Sequence, residues 1–248
     1  MNCFSEGADM ISSILSGGEP SEILLNLIVR ICYVAPSVFL AFMLKGYARA
    51  LTADKLGDPT PRSTGMLTLN PVKHFDVFGF LMILVAGFGW SKPIQMNPAY
   101  FKKPKRDIAF VALAGPMTNF LLAFAGIFVC GFFAQADYAS GGNIVYSIFM
   151  NFFSIFSLIN IGLGIFCLIP IPPLDGSRIM ASFFSTDLMV RYLSMERYYM
   201  IFFLIILIDS STIGLITGAI GGLSKIVLGL YESTSGAAGV ALARLIFG

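Results

Sequence analysis

The stretch that decides the fold lies at residues 23–44 and reads ILLNLIVRICYVAPSVFLAFML. Arg30 is its one charged residue, and at about 1.5 Å per residue the stretch can cross ~30 Å of hydrocarbon. Its helical pattern continues through residues 45–56, where Gly57-Asp58-Pro59 stops it. The sequence therefore predicts a membrane-spanning helix with a continuation of several turns.

The composition of the whole chain agrees with a membrane location. Of 248 residues, 56% are hydrophobic and 12% are charged, and the mean hydropathy is +0.82. Soluble domains carry about 25% charged residues, and here the apolar residues gather into long runs. A multi-pass membrane protein embedded in a lipid bilayer is predicted.

Several other classes are disfavoured. The net charge of +2, with no basic face and no glycine-rich phosphate loop, argues against nucleic acid as a partner. The four cysteines lie far apart, which argues against a disulfide framework or a cysteine-based zinc site.

Three more spans are predicted, at residues 108–133, 144–169 and 198–219. Before the first span lies an acidic lead-in with one helical turn near residues 10–15; after the last lies a glycine-containing tail that forms a short or interfacial helix. We therefore divide the chain into a polar lead-in at 1–21, a transmembrane domain at 22–220 and a tail at 221–248.

The apolar segment at residues 77–88 is too short to cross a bilayer comfortably. Basic residues flank it on both sides, so the positive-inside rule places both flanks in the cytoplasm. A re-entrant segment is predicted, with the amino terminus outside, the loop at 135–143 outside, and the loops 45–107 and 171–197 cytoplasmic.

Two short stretches near this segment resemble each other. MLTLNP at residues 66–71 and PIQMNP at residues 93–98 both end in Asn-Pro. Residues before proline avoid the helical region, so we predict paired strands at 65–70 and 93–97.

Five motifs follow one another along the chain: KGYARAL at 45–51, LTLNP at 67–71, Asn97-Pro98, GPMTN at 115–119 and PIPPLDG at 170–176. Over about residues 44–176 their order resembles that of the compact bacterial site-2 proteases, which are intramembrane zinc metallopeptidases. The resemblance implies an all-α multi-pass membrane protein with a site-2 protease-like helical core, a small membrane-associated β element and a re-entrant segment.

The resemblance also implies where zinc would bind, and the sequence departs from it there. Active members carry His-Glu-x-x-His on the first span, where this chain has Lys45, Gly46 and Arg49, and only the third ligand position, Asp175, keeps its carboxylate. Arginine cannot be deprotonated in a protein, and a protonated lysine is a poor ligand. We therefore expect no catalytic residue, no bound metal and no cofactor.

The two cations suggest a replacement for the metal charge. Lys45 and Arg49 are four residues apart, so their side chains leave one helix face, and the resemblance places Asp175 opposite. We hypothesise that both pair with Asp175, because a carboxylate at membrane depth needs a partner. The alternative is that both side chains lie at the cytoplasmic interface and extend to water.

The predicted strand pair suggests a binding function that does not need zinc. In active relatives such an edge holds an unwound substrate segment by strand addition, and Cys167 stands where the family usually has a substrate-binding asparagine. The expected client or partner groove comprises Gly65, Leu67, Leu69, Asn70, Ile94, Met96, Asn97, Asn119 and Cys167. A strand pair that only fills the fold is an equal alternative. Asn119 and Asn160 are also expected to form hydrogen bonds between helices.

We interpret the chain as a pseudoprotease of a bacterial inner membrane, either a subunit of a larger membrane complex or a binder of membrane-protein clients. One alternative is a functional metallopeptidase with unconventional or partner-supplied ligands; another is a purely structural subunit. A hydrolase that uses His74 as the base for Cys167 or a serine is less favoured, because nothing places a nucleophile beside His74, which is expected at the interface. A serine paired with Lys45 is equally disfavoured.

Overall fold

The computed structural model describes residues 20–86, 89–172, 174–194 and 210–247. The described helices are α1 Pro20–Lys55, α2 Thr60–Ser63, α3 Pro71–His74, α4 Val77–Ala86, α5 Pro104–Ala139, α6 Ile144–Cys167, α7 Asp175–Ala181, α8 Thr186–Ser194, α9 Ser210–Tyr231 and α10 Ala237–Phe247. A 3₁₀ turn at Pro98–Tyr100 precedes α5, and a π-helical turn at Glu232–Gly236 joins α9 to α10.

Within the described residues, four helical segments are long and apolar enough to cross a membrane. They are Ile31–Lys55, Pro104–Ala139, Ile144–Cys167 and Gly218–Ile246. The chain is therefore an integral membrane protein with a mostly helical fold, as the composition predicts.

The structure describes the two ends of the chain only in part. The lead-in before residue 20 and the greater part of the fourth predicted span, residues 198–209, lie outside the described residues. The predicted boundary at residue 221 falls inside α9. Beyond it the chain forms the π-helical turn and α10, which packs along α5.

The long helix α5 is the centre of the packing, with α1, α6 and α10 around it. Glycines bring the partners close. Gly126 faces Ser157 of α6, Gly131 faces the backbone of Gly236, and Gly239 of α10 faces the backbone of Phe128. Small residues at such contacts let membrane helices approach each other through their backbones.

The predicted strand pair is wrong, since no strand forms at residues 65–70 or 93–97. Both Asn-Pro pairs instead begin helical turns: Asn70 accepts a hydrogen bond from Val72 N at the start of α3, and Asn97 accepts one from Ala99 N. Asparagine at the N-cap followed by proline is a favoured helix start. The extended backbone predicted for the residues before proline belongs to these caps.

The ends of the segment predicted as re-entrant lie side by side. Lys92 N donates to His74 O at 3.0 Å, and the backbone of Trp90 approaches Gly79 so closely that a side chain at residue 79 would overlap it. The residues before and after this segment are therefore adjacent in the structure. That the segment enters a bilayer and leaves it on the same side stays a prediction.

Asp58 fastens this region to the end of α1. It is fully buried; its Oδ1 accepts from Thr60 N at 3.0 Å and its Oδ2 accepts from Asn97 N at 2.8 Å. One carboxylate thus holds the 93–97 segment against the turn between α1 and α2.

We expect Asp58→Ala to lower the free energy of unfolding by about 1–3 kcal/mol, because it leaves buried backbone donors without acceptors. Thermal unfolding of the purified protein in detergent measures the loss. Asp54→Ala, which removes only the exposed pair with Arg62, is the matched control and should change stability far less. Equal effects of the two substitutions would contradict the fastening role of Asp58.

Candidate functional site

The site forms where α1 meets the start of α7. Lys45 and Arg49 lie one turn apart on α1 and are 2% and 4% exposed. Lys45 Nζ is 3.5 Å from Asp175 Oδ2, and Arg49 NH2 is 3.0 Å from Asp175 Oδ1. Both cations therefore face the carboxylate, as the pairing hypothesis predicts, and neither extends to water.

A thiol completes the contacts of Lys45. Cys167, the last residue of α6, is buried, and Lys45 Nζ donates to its Sγ at 2.7 Å. The ammonium group thus lies between a carboxylate from α7 and a sulfur from α6. Helix α1 therefore meets α6 and α7, which are distant from it in sequence, at one side chain.

Helix α5 closes the remaining side of the site, and it approaches the ion pairs at a glycine. A Cβ added at Gly115 would lie 3.0 Å from Arg49 Cδ and 3.1 Å from Asp175 Oδ2, so a larger residue would push the helix away from the ion pairs. The helix continues through Pro116 without a break.

The two asparagines do not behave as expected. Asn119, one turn beyond Gly115, is fully buried, and its amide has no hydrogen-bond partner among the described residues. Asn160 donates to Phe156 O of its own helix at 2.8 Å. Neither side chain forms the predicted hydrogen bond between helices with any residue that the structure describes.

His74 packs against the site with its side chain buried inside the protein, and its position at the membrane interface stays a prediction. It is fully buried, and its Nε2 is 2.9 Å from Thr68 O. Because a carbonyl only accepts, Nε2 carries the proton, and Nδ1 of a neutral ring is then an acceptor. Nδ1 has no partner in the described part of the chain.

The His74 ring packs directly on Gly46 of α1. A Cβ at residue 46 would overlap Nδ1 and Cγ of the ring. The position at which the resemblance implies a catalytic glutamate is therefore a bare backbone covered by an imidazole.

The residues of the predicted groove do not form one surface. Ile94 is buried in a cluster with Met66, and Leu67 and Met96 pack on the same cluster. Cys167 and Asn119 are buried at the site, whereas Gly65, Leu69, Asn70 and Asn97 are exposed. Gly65 has a φ of 69°, a left-handed conformation that glycine adopts without strain as α2 ends.

The residues of the site do not fit a zinc ion. Both oxygens of Asp175 contact cations, the sulfur of Cys167 contacts an ammonium, and residue 46 has no side chain. Catalytic zinc requires about three neutral or anionic protein ligands. No cluster of three or more such residues that could hold a metal ion occurs in the described ranges.

Sequence reasoning missed two contacts, His74 on Gly46 and Lys45 on Cys167. Both join residues that are far apart in the chain, and periodicity carries no signal for such pairs. The one signal for the first was the coincidence of a single histidine with a glycine where a larger residue was expected.

Comparison with known proteins gives the relationship. The model of peptidase family M50 matches residues 55–208, a range that includes Asp175 and begins after Arg49. The chain is 38% identical over 182 residues to the Bacillus subtilis (strain 168) protein named "Putative zinc metalloprotease YwhC", covering 71% of this chain and 80% of that protein. No solved structure matches the chain.

We expect Gly46→Ala to destabilise the protein by about 1–3 kcal/mol through overlap with the His74 ring. In an unobstructed helix a glycine-to-alanine substitution is instead stabilising, because alanine is favoured over glycine by about 0.8–1.0 kcal/mol. Gly222→Ala, at a helical position with open space around it, is the control and should be neutral or stabilising. Thermal unfolding measures both.

The double variant Gly46→Ala with His74→Ala tests the cause. If the overlap is responsible, adding Gly46→Ala to the His74→Ala background should cost nothing. An equal loss in both backgrounds would show that the ring is not responsible.

We expect Asp175→Asn to cost about 3–5 kcal/mol, because it leaves two buried cations without a counter-charge. Lys45→Met should cost less, since the shorter contact, with Arg49, remains. Unfolding of each variant in detergent gives the comparison. A neutral effect of Asp175→Asn would mean that the cations reach water in solution.

Proposed function

The chain belongs to peptidase family M50, the site-2 proteases, and we propose that it is a member without protease activity that acts by binding other membrane proteins. The observation that carries this proposal is the contact of Asp175 with both Lys45 and Arg49. The carboxylate that would hold a metal is already neutralised by two side chains of the same protein.

Hydrolysis also lacks a base at the required position. In zinc peptidases of the His-Glu-x-x-His type the glutamate activates the bound water. Here Gly46 supplies no side chain, and the His74 ring occupies the adjacent space. The site thus offers neither a metal-binding set nor a carboxylate that could take a proton from water.

A binding role is supported by the exposed apolar side chains beside the site. Leu69, Val72, Val77 and Phe78 are exposed along α3 and the start of α4. Thr68, next to Leu69, contacts His74, which packs on α1. We propose that this surface holds a transmembrane segment, from either a partner subunit or a client.

We further propose the orientation that the charges predict, in a bacterial inner membrane. The amino terminus then lies outside, and the loops 45–107 and 171–197 lie in the cytoplasm. The proposed binding surface would face the cytoplasmic side.

A functional metallopeptidase is the competing proposal, favoured by the name of the Bacillus subtilis relative. It requires metal ligands from a partner or an unconventional set, and Asp175 would have to leave Lys45 and Arg49. The two proposals therefore differ in a measurable property, the metal content of the purified protein.

We expect the purified protein to contain substoichiometric zinc and to leave a generic transmembrane substrate uncut. A family member with an intact His-Glu-x-x-His motif, prepared in parallel, serves as the positive control for elemental analysis and cleavage. Stoichiometric zinc, or turnover that Asp175→Asn abolishes, would overturn the inactive assignment.

We expect Leu69→Glu to weaken the capture of a bound membrane protein, because it places a charge on the proposed surface. Capture is measured by crosslinking in native membranes and mass spectrometry after mild detergent extraction. Phe183→Glu, which places the same charge at another exposed apolar residue beyond α7, is the control. Equal capture by the wild type and both variants would remove this surface from the proposal.

A further inference from the structure

The side chains of Lys45 and Cys167 are in direct contact, with Nζ 2.7 Å from Sγ. Both residues are only 2% exposed. An N–O–S bridge, bent at its oxygen atom, spans about the same separation, so the two side chains could be joined with little movement.

The charges of the site favour such a step. Lys45 and Arg49 provide two positive charges against the one negative charge of Asp175, and an excess charge is costly in a buried site. If Lys45 became neutral, Arg49 and Asp175 would remain as a balanced pair at 3.0 Å.

We propose that Lys45 and Cys167 are a modification site at which dioxygen joins Nζ to Sγ through one oxygen atom. Written from the neutral groups, one amine, one thiol and one dioxygen give the N–O–S bridge and one water. The S–H bond, one N–H bond and the O–O bond break, while the S–O bond, the O–N bond and the two O–H bonds of water form. Nitrogen and sulfur together give four electrons to dioxygen, and the additional proton of the ammonium leaves to solvent.

Dioxygen can reach a site that excludes water, because it is small and apolar. Condensation of a sulfenic acid with a nitrogen gives an S–N bond that retains no oxygen, so the retained oxygen atom distinguishes the proposed bridge from that product. The other described cysteines have different surroundings: Cys130 donates to Met150 O at 3.6 Å, and Cys32 is exposed.

The bridge would join α1 to the end of α6, across 122 positions of the sequence. A crosslink that closes a long loop restricts the unfolded chain and stabilises the fold. The bridged protein should therefore unfold at a higher temperature than the reduced protein, and reductant should abolish the difference.

The test uses the full chain in native membranes, equilibrated with air or kept anaerobic with a thiol reductant, then denatured and digested. In the aerated sample we expect a crosslinked peptide pair containing Lys45 and Cys167, heavier than the two peptides by one oxygen atom less two hydrogen atoms. Maleimide labelling of Cys167 should be lost in that sample and restored by reductant.

Two substitutions and two controls make the result specific. Lys45→Arg keeps the charge but removes the amine, and Cys167→Ser removes the sulfur; each should abolish the crosslinked peptide. Cys130→Ser and Cys32→Ser should leave it unchanged. Complete maleimide labelling of Cys167 after aeration, or its oxidation to sulfinic or sulfonic acid without a link to Lys45, would overturn the proposal.

Discussion

Asp175 brings a negative charge to a place where it is almost wholly shielded from solvent, and both of its oxygens lie against cations. The desolvation of these groups is costly unless the charges stay together. The arrangement therefore holds α1 and the start of α7 in register, and Gly115 lets α5 close over the contact. In an active member of the family a metal would hold the corresponding positions together; here charge neutralisation among side chains does so.

Hydropathy predicted the helical spans well in the middle of the chain, because the bilayer demands long apolar helices whatever their tertiary partners. It predicted the loop between α1 and α5 poorly. An asparagine before a proline is extended both in a strand and at a helix N-cap, and only the residues that follow decide between them. At Asn70 and Asn97 the following residues turn into helices, so the predicted strand pair was wrong although the local backbone was right.

In the candidate site, too, some contacts could be predicted from the sequence and others could not. The i, i+4 spacing of Lys45 and Arg49 is a local property, and the resemblance supplied Asp175 as their partner, so the ion pairs could be predicted. The contacts of Cys167 with Lys45 and of His74 with Gly46 depend on how separate helices are placed. No local pattern encodes that placement, and none predicted that the His74 side chain turns inward to Thr68.

The departures from a zinc site are physically linked to one another. A glutamate at residue 46 would overlap the His74 ring, and removing that ring would also remove the hydrogen bond that holds Thr68. Histidines at residues 45 and 49 would free Asp175 but would leave Cys167 without the ammonium it contacts. The cations, the bare glycine and the buried imidazole thus fill one space together, and restoring metal ligands alone would not rebuild a hydrolytic site. The proposed loss of hydrolysis follows as much from packing as from the identity of the ligands.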